Sequence, residues 1–183
     1  YYFGLPFAGL SAIIDIDDEK EIIFGDELTI DDIVWMGVQP TLKEKSERVG
    51  VTRTLPSAEI VNYLHQCVQK GKSIHYLPPY RAEHKLKLMD WLGIPPVRQE
   101  GSVPFIRAVV EQRNHKSAEE IVEIEKACDV TADMHITAMK VLRPGMKEFE
   151  VVAAMEAVAA AAGCELSFAT IATINGQTLH NHY

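Results

Sequence analysis

The sequence predicts an α/β unit on a mixed sheet, followed by a long antiparallel helical hairpin. Three observations carry this. Short β-branched runs alternate with helical patterns through the amino-terminal part of the chain. A capping box, Ser117-Ala118-Glu119-Glu120, opens a run with helical spacing. That run is broken at Leu142-Arg143-Pro144-Gly145-Met146, where Pro144 disfavours helix at the residue before it and Gly145 tolerates a chain reversal.

The first elements are two short strands, 11–15 and 21–24, joined through the acidic turn Asp17-Asp18-Glu19-Lys20 as a hairpin. Thr29 with Asp32 caps a short helix over 30–36. Residues 38–51 are polar and punctuated by Pro40 and Gly50, which predicts mostly loop. Ser57 is placed as the cap of a helix from Ala58 to about Val68, with Ile60, Val61, Leu64 and Cys67 inward. A strand is expected over 72–77, stopped by Pro78-Pro79. A helix over 81–92 follows, with Leu86, Met89 and Leu92 inward and Gly93 at its end. Pro95-Pro96 makes a stiff connection, and 102–112 reads as a helical connector into a second domain.

In the hairpin, Ile121, Ile124, Cys128, Thr131, Met134, Ala138 and Val141 recur at close to helical spacing. The second helix carries Phe149, Val152, Met155 and Val158 on one face and stops at Gly163. Leu166 to Ile174, rich in Thr, Ile and Phe, predicts a strand, and Asn175-Gly176 is a turn dipeptide.

Composition bounds the function. Hydrophobic residues make up 47% and charged ones 24% of 183 residues, ordinary for a globular protein of one to two domains. A formal charge of −8 argues against nucleic acid or anionic membranes as partners. The most apolar run, Val151 to Ala162, contains Glu156 and is too short to span a bilayer. Cys67, Cys128 and Cys164 are odd in number and lack metal-ligand spacing, so buried, reduced thiols in a cytoplasmic protein are expected. The chain opens on Tyr1-Tyr2-Phe3-Gly4 with no initiator Met and closes at Tyr183, which reads as part of a longer protein.

The hairpin residues are specific. Lys116-Ser117-Ala118-Glu119-Glu120-Ile121, then Leu142-Arg143-Pro144-Gly145-Met146, then Glu148-Phe149-Glu150, resemble the start of the catalytic domain of the "pita-bread" metallopeptidases, which include aminopeptidase P, prolidase and creatinase. The resemblance divides the chain into 1–112, a creatinase-type N-terminal domain (α/β, ribonuclease H-like, on a mixed sheet), and 113–183, the beginning of an α+β pita-bread domain. It implies two divalent metal ions in the intact protein, manganese first, with cobalt or zinc as alternatives, held by two aspartates, a histidine and two glutamates beyond Tyr183. Metals so placed activate a bridging water and polarise the scissile carbonyl. No metal-ligand set is expected within the chain itself, which alone should be inactive.

The same resemblance places a histidine, commonly followed by tyrosine, where it hydrogen-bonds substrate and steadies the tetrahedral intermediate. His182, followed by Tyr183, fits that position first, and His180, after Leu179, is the second choice. Without the resemblance, both would read as solvent-exposed loop histidines. A metal site at His180-Asn181-His182 is disfavoured because no carboxylate is adjacent. His135, in line with Thr131, Ala138 and Leu142, reads as a packed helix residue, and His65, His75, His84 and His115 have no partner at useful spacing. Glu119, Glu120, Glu123 and Glu125 fall in the first turns of a helix, where the dipole favours them and water solvates them, and Glu148 and Glu150 have the same explanation. Arg143 is given a structural role, pairing with a nearby carboxylate. Neither a nucleophile elbow, a phosphate loop nor a His-Glu-x-x-His signature occurs.

The function so implied is that of a Xaa-Pro aminopeptidase or Xaa-Pro dipeptidase, acting on peptides with proline at the second position. Two alternatives share the fold: a metal-free creatinase-like C–N hydrolase, and a non-catalytic peptide- or protein-binding member. The resemblance also implies a homodimer built through the N-terminal domain. Trp35 or Trp91 would lie at such a surface, and two core tryptophans are the plainer alternative.

Overall fold

Ile22, Ile23 and Phe24 are almost completely buried, yet successive side chains of a strand point to opposite faces, so this strand must be covered on both sides. It is the centre of the fold. The computed structural model describes residues 2–177. It divides into two compact units, Tyr1–Val110 and Glu111–Tyr183.

In the first unit β1 (Ser11–Asp15) pairs antiparallel with β2 (Lys20–Phe24), which pairs parallel with β3 (Arg53–Leu55). The order β1-β2-β3 makes a mixed three-stranded sheet, as an α/β unit requires. Ser11 faces Phe24 and Ile22 faces Arg53. The tight β1–β2 turn places Glu19 at φ 51°, in the left-handed region.

Between β2 and β3 come α1 (Ile30–Met36) and α2 (Leu42–Glu47). α1 begins where the sequence places it. The Asp32 N–H donates to Thr29 Oγ1 at 3.2 Å, and Thr29 N–H donates to Asp32 Oδ2 at 2.9 Å. α2 corrects the loop expected over 38–51. Thr41 and Glu44 form a second reciprocal box, and Leu42 N–H donates to Glu27 Oε1 at 3.0 Å. Leu42 is thereby turned onto Ile23 and Val51, with Leu5 and Leu10 alongside.

The other sheet face is covered by α3 (Glu59–Gln69) and α4 (Ala82–Leu92). Ile60 and Leu64 pack on Ile22 and Phe24, joined by Tyr63, Ile74, Trp91 and Leu92. Burying a side chain such as Phe24 stabilises the unit by about 1.5–3 kcal/mol. Three expectations change here. Ser57 does not cap α3. Its N–H instead donates to Asp26 Oδ1 at 3.0 Å, and the N-cap is Ala58 without a side-chain bond. On α4 the side turned to the core holds Trp91 and Leu92, while Leu86 and Met89 are exposed. Residues 72–77 form no strand. Their side chains alternate between half-buried and exposed, as in an extended segment, but among the described residues no neighbouring strand pairs with them, and Tyr76 C=O accepts from Ser102 N–H at 3.0 Å. β3 was not anticipated. A 3-10 turn, η1 (Pro96–Arg98), and α5 (Val103–Asn114) follow, α5 covering the expected connector.

The second unit holds α6 (Ala118–Val141) and α7 (Glu148–Ala161) packed as a hairpin. Ser117 and Glu120 make the predicted capping box, with Glu120 N–H to Ser117 Oγ at 3.2 Å and Ser117 N–H to Glu120 Oε2 at 2.8 Å. Met134 of α6 and Ala159 of α7 are buried in this unit.

Candidate functional site

In the sequence the histidines expected to meet substrate follow the helical hairpin of the second unit. The reversal after α6 is built as its sequence demands. Gly145 adopts φ 91° and Met146 N–H donates to Arg143 C=O at 3.2 Å. Among the described residues Arg143 pairs with no carboxylate. Its Nη1 donates to the carbonyls of Lys140 and Leu142, both at 2.7 Å, satisfying acceptors left open at the end of α6. The role is structural, by a different partner from the one expected.

The next segment, 166–174, forms no strand, which corrects the sequence expectation. A strand is a hydrogen-bonded ladder, and no other strand of the second unit is present among the described residues. The segment is instead tied to α7 by two carboxylates. Thr170 Oγ1 donates to Glu156 Oε1 at 2.8 Å, and Ile174 N–H donates to Glu148 Oε1 at 2.8 Å. The Asn175-Gly176 dipeptide is a turn, as predicted, with Asn175 at φ 56°. His180 and His182, the predicted substrate-binding residues, lie outside the described residues.

Sequence reasoning missed Glu148 and Glu156. Glu148 was assigned to the solvated first turn of α7, but it is half-buried and reaches across to Ile174. Glu156 carried a usable signal. It is the only charge in the Ala- and Val-rich run 151–162, and a half-buried carboxylate needs a donor.

The remaining titratable residues separate clearly. His135 is exposed, so it is not the packed residue expected. His115 Nε2 stands 3.3 Å from Glu111 Oε1 on the surface. Glu119 has its carboxyl held below the ordinary range by its own backbone N–H and by Ser117, which suits a helix start and not a general acid.

In the first unit one buried charged cluster stands apart. Asp15 accepts from Lys72 Nζ at 2.7 and 2.8 Å, from Tyr63 Oη at 2.8 Å and from the Asp18 N–H at 3.2 Å. The Lys72 hydrogen bonds, assisted by Tyr63 and Asp18 and opposed by burial, hold the Asp15 carboxyl down at about 2. Burial, then Asp15, pushes the Tyr63 phenol up to about 12. Lys72 is held well above the usual lysine range by Asp15. All three groups are locked in the states they already have at neutral pH, so the cluster is a clamp between β1, α3 and the segment after α3, with nothing poised to transfer a proton.

Cys67 is buried, as expected, and burial raises its thiol pKa, whereas Cys128 and Cys164 are exposed, which corrects the expectation that all three are buried. Among the described residues no group of three or more His, Cys, Asp and Glu side chains could hold a metal ion, and no helix is long and apolar enough to cross a membrane.

Two family descriptions match separate parts of the chain. Residues 1–75 match the family described as the N-terminal domain of aminopeptidase P, and residues 122–183 match metallopeptidase family M24. A probable Xaa-Pro aminopeptidase of Aspergillus fumigatus is 26% identical over 98% of this chain and 38% of its own length. Its counterpart in Emericella nidulans is 28% identical with the same coverage. Among solved structures, Pseudomonas aeruginosa aminopeptidase PepP superposes with a TM-score of 0.62 at 25% identity, covering 78% of this chain and 34% of that one. The low-pH form of Escherichia coli aminopeptidase P gives 0.63 at 24% identity, over 84% and 37%, and speaks for the fold alone. The chain thus spans about 38% of the length of the curated relatives it matches.

Proposed function

We infer that the chain belongs to the aminopeptidase P family of M24 metallopeptidases, and on that premise we propose that the polypeptide containing it hydrolyses the bond between an N-terminal residue and a following proline. One observation carries this: two family matches, in the order and positions of an N-terminal domain and the start of a catalytic domain, in a chain aligned almost end to end with Xaa-Pro aminopeptidases. We take 1–112 and 113–183 as the two domains. An X–Pro bond is a tertiary amide whose nitrogen carries no hydrogen, so its recognition depends on shape and on donors to the carbonyl. His182 first, and His180 second, are assigned the donation to substrate and to the developing oxyanion.

Family membership implies divalent metal ions. We assign their ligands, two aspartates, a histidine and two glutamates, to the part of the intact protein that the chain does not span. We assign manganese as the metal, with cobalt and zinc next, on the preference of carboxylate-rich sites. The intact protein is further proposed to be a cytoplasmic homodimer. Free Cys67, Cys128 and Cys164 favour a reducing compartment. α1 supports the dimer, with Ile30 80%, Val34 76% and Trp35 87% exposed on a helix that buries no residue.

The test is peptidase activity of the intact polypeptide on a Xaa-Pro dipeptide and a longer Xaa-Pro peptide, with manganese, with chelator, and with His182→Ala and His180→Ala. Metal-dependent release of the N-terminal residue, strongly reduced by one of the two substitutions, is expected. The preferred length separates aminopeptidase from dipeptidase. No cleavage with any metal would overturn the assignment and leave the creatinase-like and binding-module alternatives.

A further inference from the structure

Leu77-Pro78-Pro79-Tyr80 joins the extended segment after α3 to α4 without regular secondary structure. Each proline restricts its own φ and keeps the residue before it out of the helical region, which favours a polyproline II course over 77–79. That helix has three residues per turn, so Leu77 and Tyr80 fall on one ridge, about 9 Å apart. Leu77 is 44% exposed, Pro78 is exposed, and Tyr80, at 93%, is the most exposed large hydrophobic side chain among the described residues. The opposite side of the run is anchored. Gly101 lies so close that a Cβ there would stand 2.7 Å from both Cδ and N of Pro78, and its φ of 77° suits glycine. Just before the run Tyr76 C=O accepts from Ser102 N–H at 3.0 Å, and just after it Arg81 C=O accepts from His84 N–H at 3.1 Å. The carbonyls of Leu77, Pro78 and Pro79 accept no hydrogen bond among the described residues, which leaves them open to donors from outside.

We propose that Leu77-Pro78-Pro79-Tyr80 is a docking ligand for a protein module of the WW type, whose aromatic-lined groove reads polyproline II segments. The groove takes Leu77 and Pro78 against its rings and donates to the open carbonyls, and a pocket one turn along takes the Tyr80 ring. Prolines three residues apart, the spacing of a Pro-x-x-Pro ligand, do not occur here. His75 and Arg81 stand three positions either side of Pro78, and Tyr76 and Ala82 either side of Pro79. Because the run is already fixed against Gly101, little ordering remains to oppose binding. The surface lies in the first unit and uses none of the residues assigned to substrate, so it is independent of the peptidase assignment.

The test titrates a fluorescently labelled WW domain that binds Leu-Pro-x-Tyr peptides with the intact polypeptide and follows anisotropy. Saturable binding, displaced by a free peptide of residues 74–83, is expected. Leu77→Ala should weaken it, and Tyr80→Ala should weaken it by about thirtyfold, the effect of losing an aromatic anchor. Both side chains are exposed, so the circular dichroism spectrum should not change. Trp35→Ala, on the exposed face of α1, should bind the domain as the unsubstituted protein does, which separates recognition from general apolar adhesion. Absence of saturable binding by the intact polypeptide would overturn the proposal, including the case in which the free peptide binds and the polypeptide does not. So would binding that Tyr80→Ala leaves unchanged, or binding that Trp35→Ala weakens as much as Tyr80→Ala does.

Discussion

Lys72 and Asp15, 57 positions apart in sequence, form a two-pronged ion pair in which one ammonium meets both carboxylate oxygens at 2.7 and 2.8 Å. The pair sits at the end of β1 with Tyr63 of α3 on the same carboxylate. Three separate pieces of chain are thus fastened at the one point where the sheet, the helix and the segment after it converge. The carboxylate is 4% exposed and the ammonium 14%, so solvent screens the interaction much less than it would an exposed pair.

The clamp predicts a specific acid limb in the stability of the first unit. Asp15 has its pKa lowered from 3.8 to about 2, so its contribution is fully present above pH 3.8 and is lost as pH falls through about 2. Tyr63 is raised from 10.0 to about 12, so its contribution is present below pH 10 and is lost as pH rises through about 12. In Asp15→Asn, stability at neutral pH should fall, and the difference from the unsubstituted protein should narrow as pH approaches 2. Urea midpoints across the pH range measure this. Parallel curves for the two proteins would mean that Asp15 carries no linkage.

The two-sided burial of β2 predicts a sharp contrast between neighbouring apolar residues. Phe24 is fully buried, and Phe24→Ala should cost about 3–5 kcal/mol through lost transfer energy and the cavity left behind. Ile16, just past β1, is 83% exposed, and Ile16→Ala should change stability by less than about 0.5 kcal/mol. Urea unfolding at constant m-value distinguishes the two. A small cost at Phe24 would contradict the central place of β2 in the core.

Much of this fold was legible because its signals are local. The β1–β2 hairpin, α1 with its Thr29–Asp32 box and α6 with its Ser117–Glu120 box are read from runs of a few residues. α2 was equally legible in principle, since Thr41-Leu42-Lys43-Glu44 carries the same box, but Pro40 and Gly50 on either side favoured a loop. What failed were questions of partnership. Residues 72–77 and 166–174 have strand composition, yet a strand exists only where another chain offers a ladder, and composition does not reveal one. β3, Arg53-Thr54-Leu55, was too short for its pattern to stand out, and its pairing with Ile22, Ile23 and Phe24 is what makes it a strand. The Asp15–Lys72 clamp and the Glu148–Ile174 tether join residues with no periodic relation, and only the folded chain brings them together. The histidines at 180 and 182 were named from the resemblance and not from any physical pattern around them.

The unexpected α2 gives its own prediction. Its capping box holds Leu42 at the start of a helix of only six residues, too short to persist without its cap and its packing. Thr41→Ala should therefore cost about 1 kcal/mol, whereas Thr41→Gly should cost only a few tenths. Ser117→Ala at the start of α6 should show a loss similar to that of Thr41→Ala. The measurement is again urea unfolding. Equal stability of the unsubstituted protein and Thr41→Ala would mean that Glu27, which accepts from Leu42 N–H at 3.0 Å, is sufficient to start α2 without the box.

The exposed face of α1 predicts a dissociation between stability and assembly. Trp35 is 87% exposed while Trp91 packs in the core beside Ile22 and Phe24 and under the Lys87 ammonium at 5.8 Å, so the two tryptophans should respond in opposite ways. Trp91→Ala should destabilise the first unit by about 3 kcal/mol or less, since its site is only partly buried. Trp35→Ala should leave the circular dichroism spectrum of the intact protein unchanged and raise the concentration at which it dissociates by about thirtyfold, the effect of losing an interface anchor worth about 2 kcal/mol. Sedimentation velocity across a concentration series measures both forms. An intact protein that remains monomeric at micromolar concentration, or a Trp35→Ala variant that dimerises as before, would remove α1 from the proposed interface.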